Sequence, residues 1–304
     1  MYFDLQVNGY AGVDFNADTL GHEALYKACE LLRDHEVGGI LATIITDEIP
    51  LMTQRLKQLV ALREKDPLIH DMIVGLHIEG PFISPEPGYV GAHPPHAVKQ
   101  ANPGDMERLL EAAGGLTRIV TLAPEQDPGG AVTRLLADQD ILVSAGHTNA
   151  DSDTLYTAVE QGLQMFTHLG NGCPMQLHRH ENIIQRVLSM SDLLWITFIA
   201  DGAHIPYPAL GNYLDLVGID RAIVVTDAIA AAGLGPGRYT LAGQEVDVGA
   251  DGVAWAADRS HLVGSATSMP EAEKNLAEHI GLDEDSIHGL VYANPMHALK
   301  RPLS

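Results

Sequence analysis

Four side chains that can bind a metal or transfer a proton lie at the carboxyl ends of four separate apolar segments. Glu79 follows GLHI, His147 follows ILVSAG, His168 follows MFT and Asp227 follows AIVVT. One glutamate and two histidines are a sufficient ligand set for a divalent cation in a hydrolase, with one coordination position left open for water. A further carboxylate nearby can take a proton from water and later return it to a leaving amine. These residue types predict a metal-dependent hydrolase that cleaves an amide.

Each of these residues, taken singly, also has a structural interpretation. A buried histidine is often a hydrogen-bonded core residue, a glutamate at a strand end is often exposed, and Asp227 could cap a helix after its strand. The metal site is favoured because the four residues end different strands, at the face where parallel barrels place their active sites.

Strand-like segments alternate with helical patterns along the whole chain. Apolar, β-branched segments lie at residues 2–8, 38–46, 73–79, 118–123, 141–147, 164–169, 195–200 and 222–227. Apolar residues recur at helical spacing at about 19–35, 51–64, 105–113, 130–138, 150–162, 182–190, 206–216 and 269–281. Eight strand–helix units predict a single (β/α)8 TIM-barrel catalytic domain over residues 1–304. A doubly wound open sheet is the alternative, but no GxGxxG follows an early strand.

Two connections are longer than the others. The segment Ser84–Pro95, rich in proline and glycine, follows the third predicted strand, and we expect it to fold over the site as a functional loop. The segment Gly233–Gly252 reads as a β-hairpin after the eighth strand, and a final helix is predicted near residues 285–299.

Composition excludes several classes of function. The 304 residues are 46% hydrophobic, enough for a large core, and 40 acidic against 18 basic residues give a net charge of -22. That charge argues against nucleic acid as a partner. Two cysteines, Cys29 and Cys173, fit a reducing compartment. No apolar run reaches the roughly 18 residues that cross a bilayer, so we expect a soluble, cytoplasmic protein without a membrane partner.

Seven segments resemble, in the same order, those of N-acetylglucosamine-6-phosphate deacetylases in the amidohydrolase superfamily: LQVNGYAGVDFN, LHIEGPFISPEPGYVGAH, SAGHTNA, THLGNGCPM, IADGAH, VVTDAIAAAG and LVGSATSM. The resemblance covers nearly the whole predicted barrel and implies the same three metal ligands and the same proton-transferring aspartate. It implies one cation, because Gln6 and Asn8 stand where many amidohydrolases have an HxH pair, and neutral amides replace imidazole poorly. The donors suit zinc, our first choice, and also Fe, Mn, Co or Ni.

The resemblance also implies substrate contacts. His93, in GAH, would face the acyl carbonyl and could donate a hydrogen bond to the developing oxyanion, which makes it a second catalytic residue. Other positions that match substrate-contacting residues of the family are Ala92, Asn171, Gly172, Asp201, His204, Leu262, Val263 and Gly264.

Arg179 lies about as far after THL as the phosphate-binding arginine of the family, and a guanidinium suits a phosphate dianion. Its neighbours His178 and His180 differ from the usual Gly-Arg-Glu-Pro pattern, so a surface role is the alternative. In the family this arginine reaches the neighbouring subunit's site, which implies a homodimer.

The family's barrel carries a small β-sandwich, and because this sequence begins at the predicted first strand, we expect the barrel without it.

The expected function is hydrolysis of the N-acetyl group of N-acetylglucosamine 6-phosphate, or of a close N-acetyl amino-sugar phosphate, to acetate and the amino-sugar phosphate. Two alternatives stay open. One is an amidohydrolase that acts on a different N-acyl or unphosphorylated compound, or a deaminase. The other is a barrel without catalysis that binds sugar phosphates.

Overall fold

A computed structural model describes residues 1–259 and 261–300 of the chain. Within those residues, eight strands form one parallel sheet in the order in which they occur in the sequence. Their bounds are Tyr2–Val7, Val37–Ile45, Ile73–Glu79, Thr117–Leu122, Leu142–Ala145, Leu163–Phe166, Trp195–Ile199 and Ala222–Val225. The predicted (β/α)8 barrel is confirmed. Position 260 and the last four positions of the predicted domain lie outside the described residues.

Helices follow the strands and pack around the sheet. Their bounds are His22–Asp34, Ile49–Arg63, Pro67–Met72, Pro103–Ala112, Ala131–Ala137, Ser152–Glu160, Ile183–Leu188, Tyr207–Val217, Met269–Asn275, Glu284–His288 and Asn294–Ala298. Several begin with a capping side chain: Asn102 accepts from the Asp105 amide and Asp151 accepts from the Thr154 amide. Of the described helices, none combines the length and apolar character needed to cross a membrane.

Helix Pro67–Met72 was not predicted from the helical pattern. It lies between the second long helix and the third barrel strand, and the Asp66 carboxylate accepts from the amides of Leu68 and Ile69 at its start. The Asp-Pro pair is a recognisable start signal, but six residues are too few to show helical periodicity.

The barrel interior is layered. One apolar cluster combines strand residues such as Phe3, Leu5 and Ile223 with Met296 of the final helix and with Tyr292, which lies just before that helix.

Between this cluster and the strand ends lies a chain of buried polar groups. His77 Nε2 is 2.8 Å from Thr121 Oγ1, which is 2.7 Å from Thr167 Oγ1, which in turn is 2.6 Å from Ser144 Oγ. His77 precedes Glu79 by two residues, so these groups lie directly behind the carboxyl ends of the strands.

The predicted hairpin after the eighth strand is present and carries a third strand. Gly237–Leu241, Gln244–Val248 and Ala254–Ala256 pair antiparallel, and their apolar side chains pack on Ile45 and Val263. The Gln244 side-chain amide donates to the Ala92 carbonyl at 3.0 Å. This three-stranded sheet therefore supports the loop that carries His93.

Candidate metal centre

The four residues singled out by type converge in space, although they come from four strands. Glu79 is the last residue of the third strand, whereas His147, His168 and Asp227 each lie two residues beyond strands five, six and eight. The predicted strands therefore ran two or three residues too far. The reason is backbone conformation: φ is 51° at His147, 36° at His168 and 51° at Asp227. A left-handed residue ends the ladder and turns the side chain into the barrel mouth.

Three of these side chains form a compact donor set. Glu79 Oε1 lies 3.0 Å from His168 Nε2 and 3.4 Å from His147 Nε2, and the two Nε2 atoms are 3.2 Å apart. All three residues are buried. Bonds of about 2.0–2.2 Å to a tetrahedral zinc ion place ligand atoms roughly 3.3–3.5 Å apart. The spacing and the donor types therefore fit a divalent cation.

Hydrogen bonds to groups outside the donor set orient the two histidines. His147 Nδ1 donates to the Tyr89 carbonyl at 2.8 Å, which leaves the Nε2 lone pair facing Glu79. The His168 amide donates to Thr197 Oγ1 at 2.7 Å. Burial opposes ionisation of Glu79, but hydrogen bonds with His147 and His168 hold its pKa well below the usual range. The glutamate is therefore a carboxylate, as metal ligation requires.

Asp227 stands beside the donor set without belonging to it. Its Oδ1 accepts from Gln6 Nε2 at 3.1 Å and from Asn8 Nδ2 at 2.6 Å, and the same Gln6 nitrogen also donates to both oxygens of Glu79. Burial, followed by the negative charge of Glu79, raises the pKa of Asp227. Asp227 is half-buried, so it is accessible to a substrate in the barrel mouth.

The loop at Ser84–Pro95 covers the site, as expected. The Ser84 amide donates to the His147 carbonyl at 2.9 Å, and His93 Nε2 lies 3.1 Å from His147 Nε2. Burial, with a further contribution from His147, lowers the pKa of His93 to about 3. A neutral His93 can donate one hydrogen bond from its ring to a carbonyl oxygen.

Comparison with known proteins identifies the family. No protein-family model matches the chain. The N-acetylgalactosamine-6-phosphate deacetylase of Escherichia coli O157:H7 is 31% identical over 94% of this chain and 74% of its own length. The N-acetylglucosamine-6-phosphate deacetylase of Bos taurus is 34% identical over 94% of this chain and 70% of its own length. The chain belongs to the N-acetylglucosamine-6-phosphate deacetylase family.

Solved structures of the family have the same fold. A mutant N-acetylglucosamine-6-phosphate deacetylase of Mycobacterium smegmatis, in complex with N-acetyl-D-glucosamine-6-phosphate, superposes with a TM-score of 0.88 and 28% identity, covering 99% of this chain and 77% of that one. The Thermotoga maritima enzyme superposes with a TM-score of 0.85 and 25% identity, covering 98% and 78%. The resemblance read from the seven motifs is thereby confirmed.

The structure places most of the substrate positions implied by the deacetylase family around the barrel mouth. Asp201 Oδ2 is 2.6 Å from His204 Nδ1, and burial of Asp201 is outweighed by this contact, which lowers its pKa. A negative Asp201 therefore fixes the orientation of the His204 ring. The segment Leu262–Gly264 leads to Ser265, whose amide donates to the Asp227 carbonyl at 2.9 Å.

Asn171 and Gly172 lie three and four residues after His168, and the Asn171 Nδ2 atom is buried with no partner among the described residues. Arg179 is different. It lies exposed on the segment after Met175, which is itself fully exposed, and no described residue of the same chain pairs with it. The structure does not bring Arg179 into the cluster around Glu79.

Three groups that support the site are not predicted from the residue types in the sequence. Tyr89 contributes a main-chain carbonyl, a group that every residue carries, so the sequence does not indicate this contact. Gln244 acts from the hairpin, about 150 residues away from the loop that it holds. Asp4 lies inside the first strand among apolar residues, and an acidic residue in such a segment was the available signal.

Gly172 tests how tightly the His147 ring is held. A Cβ at Gly172 would lie 2.9 Å from His147 Nδ1, and φ there is +60°. We expect Gly172→Ala to displace the ring and to lower metal affinity by about 10–100-fold, measured by titration against a competing chelator. Gly129→Ala is the control, because φ is +83° there and nothing lies within 4 Å of an added Cβ. Equal metal affinities in the two variants would show that the contact with His147 is unimportant.

Proposed function

We propose that the chain is a metal-dependent deacetylase that hydrolyses the N-acetyl group of N-acetylglucosamine 6-phosphate or of a close N-acetyl amino-sugar phosphate. The observation that carries this proposal is the convergence of a three-residue donor set, a separate carboxylate and a neutral imidazole at one barrel mouth. Membership of the deacetylase family supports the same reaction. A purely binding barrel has no need of a proton acceptor beside a cation site.

Glu79, His147 and His168 would hold the cation. When bound, such a cation polarises a carbonyl group and makes water more acidic. Asp227 accepts a proton from the attacking water and later delivers it to the departing amine nitrogen. His93 donates a hydrogen bond to the oxygen of the acetyl carbonyl as negative charge develops there. Gln6 and Asn8 keep Asp227 in place through their amide hydrogens. Because neutral amides replace imidazole poorly as ligands of a second cation, we infer a single cation, and zinc is the first choice.

The proposed substrate contacts extend from the donor set toward the sugar. Asn171, Gly172, His204 and the main chain of Leu262–Gly264 would contact the sugar, and Arg179 the phosphate. Because Arg179 is exposed and does not belong to the cluster around Glu79 of its own chain, we infer that it serves the site of a second copy in a homodimer. Light scattering of the purified protein tests that inference, and a monomer at assay concentrations would count against it.

We further propose that the barrel alone is the catalytic domain, because every residue of the site comes from its strand ends and loops. The two cysteines, Cys29 and Cys173, are unpaired, which supports a reducing compartment such as the cytoplasm.

Acetate release from purified, metal-loaded protein tests the proposed reaction. The assay should compare N-acetylglucosamine 6-phosphate with its galactosamine epimer and with unphosphorylated N-acetylglucosamine, because the two relatives quoted above carry different sugar names. Release from a phosphorylated sugar is the expected result. No release from any of the three would contradict the proposal.

Arg179→Gln tests whether the phosphate is recognised. Loss of a charge-assisted pair costs about 1.5–3 kcal/mol, so we expect KM for the phosphorylated sugar to rise by roughly 10–100-fold with little change for the unphosphorylated one. Arg134→Gln is the matched control, because Arg134 is also exposed but lies on the helix Ala131–Ala137. If both variants changed KM equally, Arg179 would have only a surface role.

A further inference from the structure

The barrel closes at a seam between its first and eighth strands, which stand at the two ends of the sheet. In the described part of the chain, the only bridge across this seam is an isolated one, which joins Val7 at the end of the first strand to Ala228, three residues beyond the eighth. The amides of Asn8 and Gly9 donate to the Ala228 carbonyl at 2.7 and 3.1 Å. The backbone ladder that joins every other neighbouring pair is thus replaced here by a few specific contacts, directly beside Asp227.

Besides the amides of Gln6 and Asn8, which donate to Asp227 itself, the Asp4 carboxylate makes side-chain contacts across this seam. Its Oδ1 accepts from the Thr226 amide at 3.2 Å, and its Oδ2 accepts from Thr226 Oγ1 at 2.5 Å. Within its own strand, Oδ1 also accepts from the Gln6 amide at 3.2 Å, in a stretch where pairing with the second strand shifts register. One carboxylate therefore contacts both Thr226, the residue before Asp227, and Gln6, one of the two residues whose side chains donate to Asp227.

Thr226 connects Asp4 to the residue that follows Asp227. The Thr226 Oγ1 atom accepts from the Ala228 amide at 3.0 Å, so the residues on both sides of Asp227 are tied to one hydroxyl group. Asp227 itself has a φ of 51°, a conformation that persists only where the surroundings impose it. Its carbonyl accepts from the Ser265 amide, which completes the restraint of this turn.

The chemical nature of Asp4 is costly for the fold. Asp4 is 2% exposed, and burial raises its pKa to about 7 despite the hydrogen bonds from Thr226 and Gln6 that oppose the shift. Burying a polar side chain lowers the stability of the fold. Such a residue is explained if the structure that its hydrogen bonds fix is worth that loss.

We propose that Asp4 is a positioning residue, which fixes the turn Thr226–Ala228 across the barrel seam and so sets the geometry from which Asp227 transfers protons. This inference rests on the proposed function, because it assigns Asp4 a role in the same reaction. Asp4 belongs neither to the donor set nor to the proposed substrate contacts, so its effect should appear in kcat.

Asp4→Ala is the first test, with Asp127→Ala as its matched control. Asp127 is also a buried aspartate that accepts from two main-chain amides and one threonine hydroxyl, those of Val132 and Thr133. Both variants lose the same kinds of hydrogen bond. We expect Asp4→Ala to lower kcat by about 100-fold, the effect of a misplacement of about 1 Å, with KM and bound metal unchanged. Asp127→Ala should keep kcat per folded molecule.

Two further variants keep the test decisive if Asp4→Ala folds poorly. Asp4→Asn still offers an oxygen to the Thr226 and Gln6 amides, so it should recover most of the lost kcat. Thr226→Val removes the hydroxyl that links Asp4 to the Ala228 amide, and combining it with Asp4→Ala should add little further loss. Hydrogen exchange of a peptide covering residues 224–229 should accelerate in Asp4→Ala and stay unchanged in Asp127→Ala.

Equal kcat losses in Asp4→Ala and Asp127→Ala, or wild-type hydrogen exchange across the turn in Asp4→Ala, would overturn the role of Asp4. The kcat comparison requires a wild-type protein that releases acetate, whereas the exchange measurement does not. A wild-type protein that releases none contradicts the proposed function instead, so the two failures can be told apart.

Discussion

Asp227→Asn is expected to lower kcat by about 10²–10⁴-fold, the usual contribution of a general acid–base residue, while the protein keeps its full complement of metal. An asparagine oxygen can still accept from Gln6 and Asn8, which contact Oδ1 at 3.1 and 2.6 Å, and asparagine tolerates the left-handed conformation well. The variant therefore loses the proton acceptor and little else. Acetate release and elemental analysis of the same sample measure both quantities.

The stability of the metal-free variant gives a second readout. Burial and the charge of Glu79 raise the pKa of Asp227, so the folded state holds this proton more tightly than the unfolded state does. Stability is therefore lost as pH rises from the unfolded pKa through the folded one. At pH 7 the wild type has already lost this stability because Asp227 is ionised. Asparagine carries no charge, so metal-free Asp227→Asn should melt at a higher temperature than metal-free wild type. Near-native turnover by the loaded variant would refute the assigned role of Asp227.

His168→Ala should abolish both activity and metal binding. It removes one of three donors and leaves Glu79 with His147 alone, so metal affinity should fall by more than the roughly 10–100-fold that loss of a supporting residue costs. Ligand binding stabilises a fold by about 4 kcal/mol at a thousandfold excess over Kd. Adding a chelator should therefore lower the melting temperature of the wild type and leave that of His168→Ala unchanged.

His93→Asn separates binding of the cation from stabilisation of the oxyanion. The His93 ring lies 3.1 Å from His147 Nε2 but lies outside the donor set. This variant should retain metal and still lose about 10²–10³-fold in kcat, as removal of an oxyanion donor does. If His93→Asn loses the cation as readily as His168→Ala, the donor set is larger than three residues.

The barrel could be predicted because its signals are local and repeated. Each of the eight strands follows from a short β-branched segment, and the helices between them follow from apolar spacing. The positions of Glu79, His147 and Asp227 at strand ends were visible for the same reason. The hairpin after the eighth strand was marked by glycines on both sides of an alternating segment.

The finer geometry of the site depends on contacts between distant parts of the chain. The left-handed turn at His168 follows from packing rather than from residue preference, so the predicted sixth strand continued past it. The carbonyl of Tyr89 orients His147 without any side-chain chemistry. Asp4 and Thr226 meet only because the barrel closes, since 222 positions separate them.

The three left-handed residues at the barrel mouth have an evolutionary consequence. Each such conformation costs on the order of 1–3 kcal/mol, a sizeable part of the roughly 5–15 kcal/mol by which a domain is stable. Selection for heat resistance alone would favour asparagine or glycine at these places, and each such exchange would remove a ligand or the proton acceptor. Descendants of this protein that gain thermal tolerance while remaining enzymes must acquire it elsewhere, in the helical shell or the surface charges.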